Sequence, residues 1–260
     1  MSFCFCPLRS GSSGCVSFVK AGGTRLLIDA GHSAKTMESL LRTIGETPGN
    51  LSGIIITHEH SDHIKGLGAL SRQFDIPVYA NIPTWRAMQD RAGIANVADY
   101  NRRTFTTGED FFIDEVNVLP FAIPHDCAEP VGYSLSYGGK TISIATDVGH
   151  LRRGWLDLLA DSDIVLLESN HDPDMLRACA YPGWLKNRIS GSRGHLNNAD
   201  CASAVTRLAG RGVRHFVLGH MSHEANTPEL ARETALAAVA GLGCSVDVAY
   251  RDRTGGYYEI

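Results

Sequence analysis

Four side chains of the types that bind metal ions stand within six residues, directly after an apolar run at residues 54–56: His58, His60, Asp62 and His63. In an extended segment, residues two apart project the same way, so His58 and His60 can hold one cation. A turn after Ser61 would direct the other two toward a second. Imidazole and carboxylate suit zinc, manganese or iron. A histidine-rich surface loop is the alternative, but it would not explain the position after a buried strand.

Three further candidates follow apolar runs later in the chain. His125 comes after residues 121–124, Asp147 after residues 142–146, and His220 after residues 216–219. Each one alone could be an ordinary polar residue at a strand end. Because a rigid sheet collects functional residues where its strands end, we expect all three to meet the histidine loop and complete a site for two cations.

Two cations about 3.5–4 Å apart lower the pKa of a shared water and neutralise charge on a substrate oxygen. The expected nucleophile is therefore a hydroxide that bridges the two ions. Asp62, as ligand and hydrogen-bond acceptor, would hold that hydroxide in line for attack. The pattern predicts a metal-dependent hydrolase.

Strands and helices alternate along the chain, which predicts an α/β protein. Two-glycine turns predict hairpins at residues 21–24 and 137–140. No linker, low-complexity tract or fixed-period repeat is evident, so residues 1–260 are expected to form one domain. The predicted elements are strands Val16–Lys20, Arg25–Asp29, Gly53–Thr57, Pro77–Ala80, Thr141–Thr146, Ile164–Leu167 and Val213–Leu218, and helices Lys35–Arg42, Lys65–Phe74 and Pro228–Ala240.

Composition excludes several classes of protein. A hydrophobic fraction of 43% and a charged fraction of 20% are typical of folded globular chains. No run of 18 apolar residues and no secretion signal is present, so we expect a cytoplasmic protein without membrane association. The seven cysteines lack CxxC spacing and are expected to be reduced, with Cys4 and Cys6 in a core strand. A net charge of -4 gives no global attraction to nucleic acid.

The HxHxDH pattern with its downstream His, Asp and His resembles the metallo-β-lactamase-fold hydrolase superfamily over the whole chain. The resemblance implies a four-layer αββα sandwich with the metals at one edge between the sheets. It assigns His58, His60 and His125 to the first metal. Asp62, His63 and His220 would bind the second, and Asp147 would bridge both. Asp29, which closes a strand, would orient the histidine loop; a purely structural role for Asp29 stays open.

Glu168 and His195 resemble the acidic residue and the histidine of the nuclease branch, which together protonate the leaving group. A carboxylate bonded to an imidazole stabilises its protonated form, as a general acid requires. The alternative is that Glu168 is merely buried at a strand end and His195 merely precedes a helix. His171 is placed near the substrate without a defined role.

Residues 175–199 carry four basic side chains, two aromatic rings at Tyr181 and Trp184, and no acidic residue. Cations contact phosphates and rings stack on bases, so Lys186, Arg188 and Arg193 are candidate substrate contacts. A solvated basic helix face would explain the same charges.

Four segments resemble the YycJ/WalJ/VicX family of small bacterial metallo-β-lactamase-fold proteins: Ser10–Gly14, Thr57–Gly66, Glu168–Asp172 and Gly194-His195. The resemblance implies a 5′-to-3′ exonuclease that acts on DNA and is associated with mismatch repair. Cys15 departs from the family, which usually carries Asn there. A thioester hydrolase of the glyoxalase II type is the main alternative; a lactamase or a non-catalytic metal-binding partner is less consistent with the sequence. The oligomeric state stays open.

Overall fold

The computed structural model describes residues 2–89, 96–151 and 153–260. Two seven-stranded sheets are built from this part of the chain. The first contains β1 (Phe3–Arg9), β2 (Val16–Ala21), β3 (Thr24–Ile28), β4 (Gly53–Ile55), β5 (Val78–Asn81), β6 (Arg102–Phe105) and β14 (Tyr258–Glu259). The second contains β7 (Phe111–Ile113), β8 (Val116–Ala122), β9 (Val131–Tyr137), β10 (Lys140–Ala145), β11 (Ile164–Glu168), β12 (His215–Gly219) and β13 (Ser245–Val248).

Helices connect the strands. They are α1 (Ala34–Thr43), α2 (Ser61–Ile64), α3 (Leu67–Phe74), α4 (Ile82–Gln89), α5 (Arg153–Leu159), α6 (Pro173–Ala178), α7 (Gly183–Ile189), α8 (Asn198–Ala209) and α9 (Pro228–Ala238). Two short 3-10 helices lie at Pro48–Asn50 and Asp99–Asn101. No helix in the described ranges is both long and apolar enough to cross a membrane.

Three apolar layers separate four layers of secondary structure. Phe5 of the first sheet and Tyr133 of the second belong to the core between the sheets. Leu41 of α1 and Leu70 of α3 pack on the outer face of the first sheet, and Val205 of α8 packs on the outer face of the second. The predicted αββα sandwich is therefore confirmed.

Both predicted hairpins form. Gly22-Gly23 joins β2 to β3, and Gly138-Gly139 joins β9 to β10. Gly138 and Gly139 have φ values of 58° and 79°, a left-handed conformation that suits a two-residue hairpin and costs glycine little. Cys4 and Cys6 lie buried in β1, as predicted, and all seven cysteines are free thiols.

Strand direction brings the site residues to one edge. In the second sheet β8 and β10 both run antiparallel to β9, so they are parallel to each other, and β10, β11 and β12 are parallel neighbours. In the first sheet β3 is parallel to β4. The segment after β4 meets the start of β9 where Val131 N–H donates to the Thr57 carbonyl at 3.0 Å. The carboxyl ends of these strands therefore face a common space.

Candidate metal centre

The histidine loop leaves β4 two residues earlier than predicted. The strand expected over residues 53–57 ends at Ile55, because the Thr57 backbone N–H and hydroxyl donate to the two carboxylate oxygens of Asp29, at 2.9 and 2.8 Å, instead of joining the sheet. The chain then enters α2 with His60 as its N-terminal capping residue. This turn points the side chains of the loop toward the second sheet.

Three imidazoles form the first cluster. His58 Nε2 lies 3.1 Å from His60 Nδ1, and His125 Nε2 lies 3.3 Å from the same atom. His58 and His125 are buried. Burial, reinforced by the neighbouring imidazoles, holds the pKa of His58 well below its usual value. His58 is therefore neutral, which is the form that binds a metal ion.

Asp62, His63 and His220 form the second cluster. The Asp62 carboxylate lies 3.8 Å from His63 Nε2 and 3.7 Å from His220 Nε2. Both Nε2 atoms are buried and have no hydrogen-bond partner in the part of the chain that the structure describes. His220 adopts a left-handed φ of 55°, and its backbone N–H donates to the Ser10 hydroxyl at 2.8 Å. These contacts turn its ring away from the sheet and toward the cluster.

Asp147 lies between the two clusters. One carboxylate oxygen is 3.6 Å from His125 Nε2, and the other is 3.4 Å from His63 Nε2. The latter oxygen is buried and unpartnered among the described residues. An unpaired buried polar atom costs about 1–3 kcal/mol, so the three unpartnered atoms, His63 Nε2, His220 Nε2 and Asp147 Oδ2, mark a place that a cation would stabilise. The donor set fits divalent metal ions.

Carboxylates and imidazoles of the second cluster stabilise each other's charged forms. Burial alone would lower the pKa of His63 and His220, but the Asp147 carboxylate beside both rings raises each pKa well above its usual value. In return, although burial opposes it, the imidazoles lower the pKa of Asp147 and of Asp62. A cation among these groups would displace protons from the rings, since a metal binds neutral imidazole.

Asp29 fixes the orientation of His63. Its Oδ2 accepts a hydrogen bond from His63 Nδ1 at 2.7 Å, which leaves Nε2 facing the cluster. Asp29 has a φ of 64° and is buried. The contact supports the orienting role that the resemblance implies, and the bonds to Thr57 make the same carboxylate structural as well.

Glu168 holds two imidazoles rather than one. Its Oε1 accepts from His195 Nδ1 at 2.9 Å and from His220 Nδ1 at 2.8 Å. Its Oε2 accepts from the backbone N–H groups of Val148 and Leu196, at 2.7 and 2.9 Å. Burial opposes ionisation, yet the two imidazoles hold the pKa of Glu168 well below its usual value. The bond to His220 was not predicted, and it links the candidate general acid to a candidate metal ligand.

A cavity of about 360 Å³ opens beside both clusters. His195 is 15% exposed in its side chain and lines this cavity together with Asp62, Asp147 and Arg188. His195 also lines a second cavity of about 590 Å³. It therefore separates two spaces, each large enough for part of a substrate.

The predicted substrate contacts have different surroundings. Arg188 lines the first cavity, but its guanidinium is already paired with Asp126 at 2.6 and 3.1 Å. Lys186 and His171 line the second cavity. The Arg193 guanidinium donates to the His125 carbonyl at 3.1 and 3.0 Å, so it supports the His125 loop.

Two residues near the clusters were not assigned from the sequence. Glu59, inside the histidine motif, is buried and accepts a hydrogen bond from the Ala128 backbone at 2.8 Å. The ligand atoms of Cys15, His63 and His220 lie within 4.8 Å of one another. The local signal for Cys15 was its place in the loop of residues 10–15, where the sequence departs from the family pattern.

A sequence profile described as "Beta-lactamase superfamily domain" matches residues 24–221. The crystal structure of the metallo-β-lactamase fold protein YhfI from Bacillus subtilis superposes with a TM-score of 0.76, at 16% identity over 100% of both chains. Fold and family together define the class of protein: a metal-dependent hydrolase.

Two curated relatives narrow the class. Exodeoxyribonuclease YycJ of Bacillus anthracis is 36% identical over 250 residues, 96% of this chain and 94% of that protein. Exodeoxyribonuclease WalJ of Streptococcus pneumoniae is 36% identical over 249 residues, 95% of this chain and 93% of that protein. The chain belongs to the YycJ/WalJ family of the metallo-β-lactamase superfamily.

Proposed function

We propose that this protein is a nuclease that uses two divalent metal ions to hydrolyse phosphodiester bonds in DNA. The curated relatives named exodeoxyribonucleases support the substrate. The convergence of side chains from both sheets supports the treatment of residues 1–260 as one catalytic domain. A 5′-to-3′ polarity and a role in DNA repair belong to the same proposal and rest on the family resemblance.

Each predicted metal ligand has a place in this proposal. His58, His60 and His125 would hold one cation, and Asp62, His63 and His220 the other, with Asp147 between them. Two cations there would supply the Lewis acid and the activated water of the reaction. Zinc and manganese both suit these ligands, and iron is compatible with them.

The His195–Glu168 pair is the observation that supports hydrolysis of a phosphodiester rather than of a thioester. His195 Nδ1 donates to the buried Glu168 carboxylate at 2.9 Å, and the partly exposed His195 ring faces the cavity. This hydrogen bond orients the ring, which can deliver a proton to the departing oxygen of the substrate. Asp62, also on the cavity wall, can accept a hydrogen bond from the attacking water.

A thioester hydrolase of the glyoxalase II type would need this pair less. A thiol has a pKa of about 8.5 and leaves readily as a thiolate, whereas the 3′ or 5′ alkoxide of DNA requires a proton. The pair therefore favours a phosphodiester over a thioester.

The test compares His195→Ala with the unchanged protein on two substrates. DNA cleavage should fall by about 10²- to 10⁴-fold, the usual contribution of a general acid. Cleavage of bis(p-nitrophenyl) phosphate, whose leaving group needs no proton, should change little. Equal losses on both substrates would refute the proton-donor role, and thioester hydrolysis without DNA cleavage would refute the nuclease.

Strand polarity is tested separately. Duplex DNA labelled at the 5′ end should release labelled mononucleotide at the earliest times. Early release of label only from the 3′ end would overturn the proposed direction without affecting the metal centre.

A further inference from the structure

Cys15 is held rigidly at the second cluster by its backbone. Its N–H donates to the Asp62 carbonyl at 2.7 Å, and its carbonyl accepts from Gly31 N–H at 3.0 Å. The residue is 7% exposed. These bonds fix the Cys15 backbone beside that of Asp62.

Two histidines, each with one unpartnered nitrogen, lie near this thiol. The ligand atoms of Cys15, His63 and His220 all lie within 4.8 Å of one another. His63 Nε2 and His220 Nε2 are buried without a hydrogen-bond partner among the residues described. The thiol itself has only weak contacts with the Gly11 backbone, at 3.4 and 3.5 Å. The sulfur and one nitrogen of each ring are thus close enough together to hold one cation.

We propose that the Cys15 thiolate is a ligand of the cation held by His63 and His220, and that it biases this position toward zinc over manganese. The inference rests on the proposed metal centre. Thiolate is a soft ligand that favours zinc, whereas carboxylate and water suit manganese. On binding, the thiol loses its proton to solvent and the sulfur lone pair forms the bond to the metal. The other cation position, with the three imidazoles of the first cluster and Asp147 as ligands, would lack this bias.

Cobalt(II) is the probe for the sulfur ligand. Protein loaded with cobalt, with the bound metal counted by mass spectrometry, should show a near-ultraviolet thiolate-to-cobalt charge-transfer band. Cys15→Ser should lose the band. Cys6→Ala is the control. Cys6, like Cys15, is a buried free thiol, but it lies in β1 and in none of the His, Cys, Asp and Glu clusters of the described chain, so this variant should keep the band.

Metal competition measures the bias. Loss of a ligand should cost at least as much as loss of a supporting partner of a ligand, about 10- to 100-fold in affinity. The preference for zinc over manganese at one of the two positions should fall by that factor in Cys15→Ser and stay unchanged in Cys6→Ala. An equal preference in Cys15→Ser and the unchanged protein would overturn the bias.

X-ray absorption of the unchanged zinc protein tests the bond without any variant. A zinc–sulfur distance of about 2.3 Å is expected. A spectrum explained by nitrogen and oxygen alone, or a fully cobalt-loaded protein without the charge-transfer band, would overturn the proposal. Neither measurement uses DNA. If the protein did not cleave DNA but showed the zinc–sulfur distance, the nuclease proposal would fail and this inference would stand. If it cleaved DNA but showed no sulfur ligand, this inference alone would fail.

Discussion

Replacement of Glu168 by glutamine tests the site at its most connected point. The carboxylate accepts four hydrogen bonds, two from imidazoles and two from backbone N–H groups, and is fully buried. An amide has one oxygen and one NH₂ group. If the oxygen keeps the two backbone donors, the NH₂ group faces both rings and must donate to their Nδ1 atoms.

That exchange reverses the tautomers of the two histidines. A ring that accepts at Nδ1 carries its proton on Nε2, so His220 would present N–H instead of a lone pair to the second cluster. His195 would exchange its carboxylate acceptor for an amide donor. Loss of the hydrogen-bond partner of a metal ligand costs about 10- to 100-fold in metal affinity. Loss of the general acid costs about 10²- to 10⁴-fold in turnover.

Stability should also fall. Hydrogen bonds to a charged group contribute about 1.5–3 kcal/mol each, so reversing two of them should lower the free energy of unfolding by about 3 kcal/mol. DNA cleavage, metal content and urea unfolding of Glu168→Gln should be measured against Glu38→Gln, a carboxylate-to-amide change on α1. Full metal content with turnover within tenfold of the unchanged protein would refute this account of Glu168.

Three further outcomes are expected. Asp29→Asn, which places an amide against the His63 ring, should weaken metal binding about 10- to 100-fold in a chelator competition, and unchanged affinity would contradict the orienting role. Arg188→Ala should weaken DNA binding and reduce its salt dependence by about one phosphate contact, whereas Arg42→Ala on α1 should not; equal effects would remove Arg188 from the substrate path. Folding lowers the pKa of Asp147 and of Glu168. Their stabilising effect is therefore complete above the pKa values of the unfolded chain, about 4, and is lost as the pH falls through the lower pKa values of the folded protein. Urea midpoints of the metal-free protein should therefore decrease from about pH 6 to about pH 3, and a midpoint that rises would reverse this sign.

Local patterns were sufficient for most of the elements. Glycine pairs predicted the two hairpins because tight two-residue turns between antiparallel strands favour a left-handed conformation, which glycine adopts readily. Pro228 predicted the first turn of α9. The predicted end of β4 was wrong by two residues. Asp29 captures the polar groups of Thr57, a contact 28 positions away that no local pattern contains.

The contacts of Glu168 could not be predicted from the sequence, because they depend on which strands are neighbours in the sheet. The parallel register pairs Glu168 of β11 with Gly219 of β12, which sets its carboxylate beside His220. The basic segment also needed tertiary contacts. Arg188 is paired with Asp126, 62 positions earlier, and Arg193 supports the His125 carbonyl, so equal charges in the sequence have different environments.

The sequence by itself determined the types of side chain available and the strand ends that carry them, because apolar periodicity and turn residues act over a few positions. Its resemblance to the metallo-β-lactamase superfamily predicted the αββα fold and the residues that the structure gathers at one edge. Tertiary structure alone decided which nitrogen of each ring faces the clusters, which cations are already paired, and that the ligand atoms of Cys15, His63 and His220 lie within 4.8 Å of one another. The reason is physical: hydrogen bonds between distant segments set ring orientation and charge, and their partners are chosen by strand register and packing rather than by neighbours in the chain.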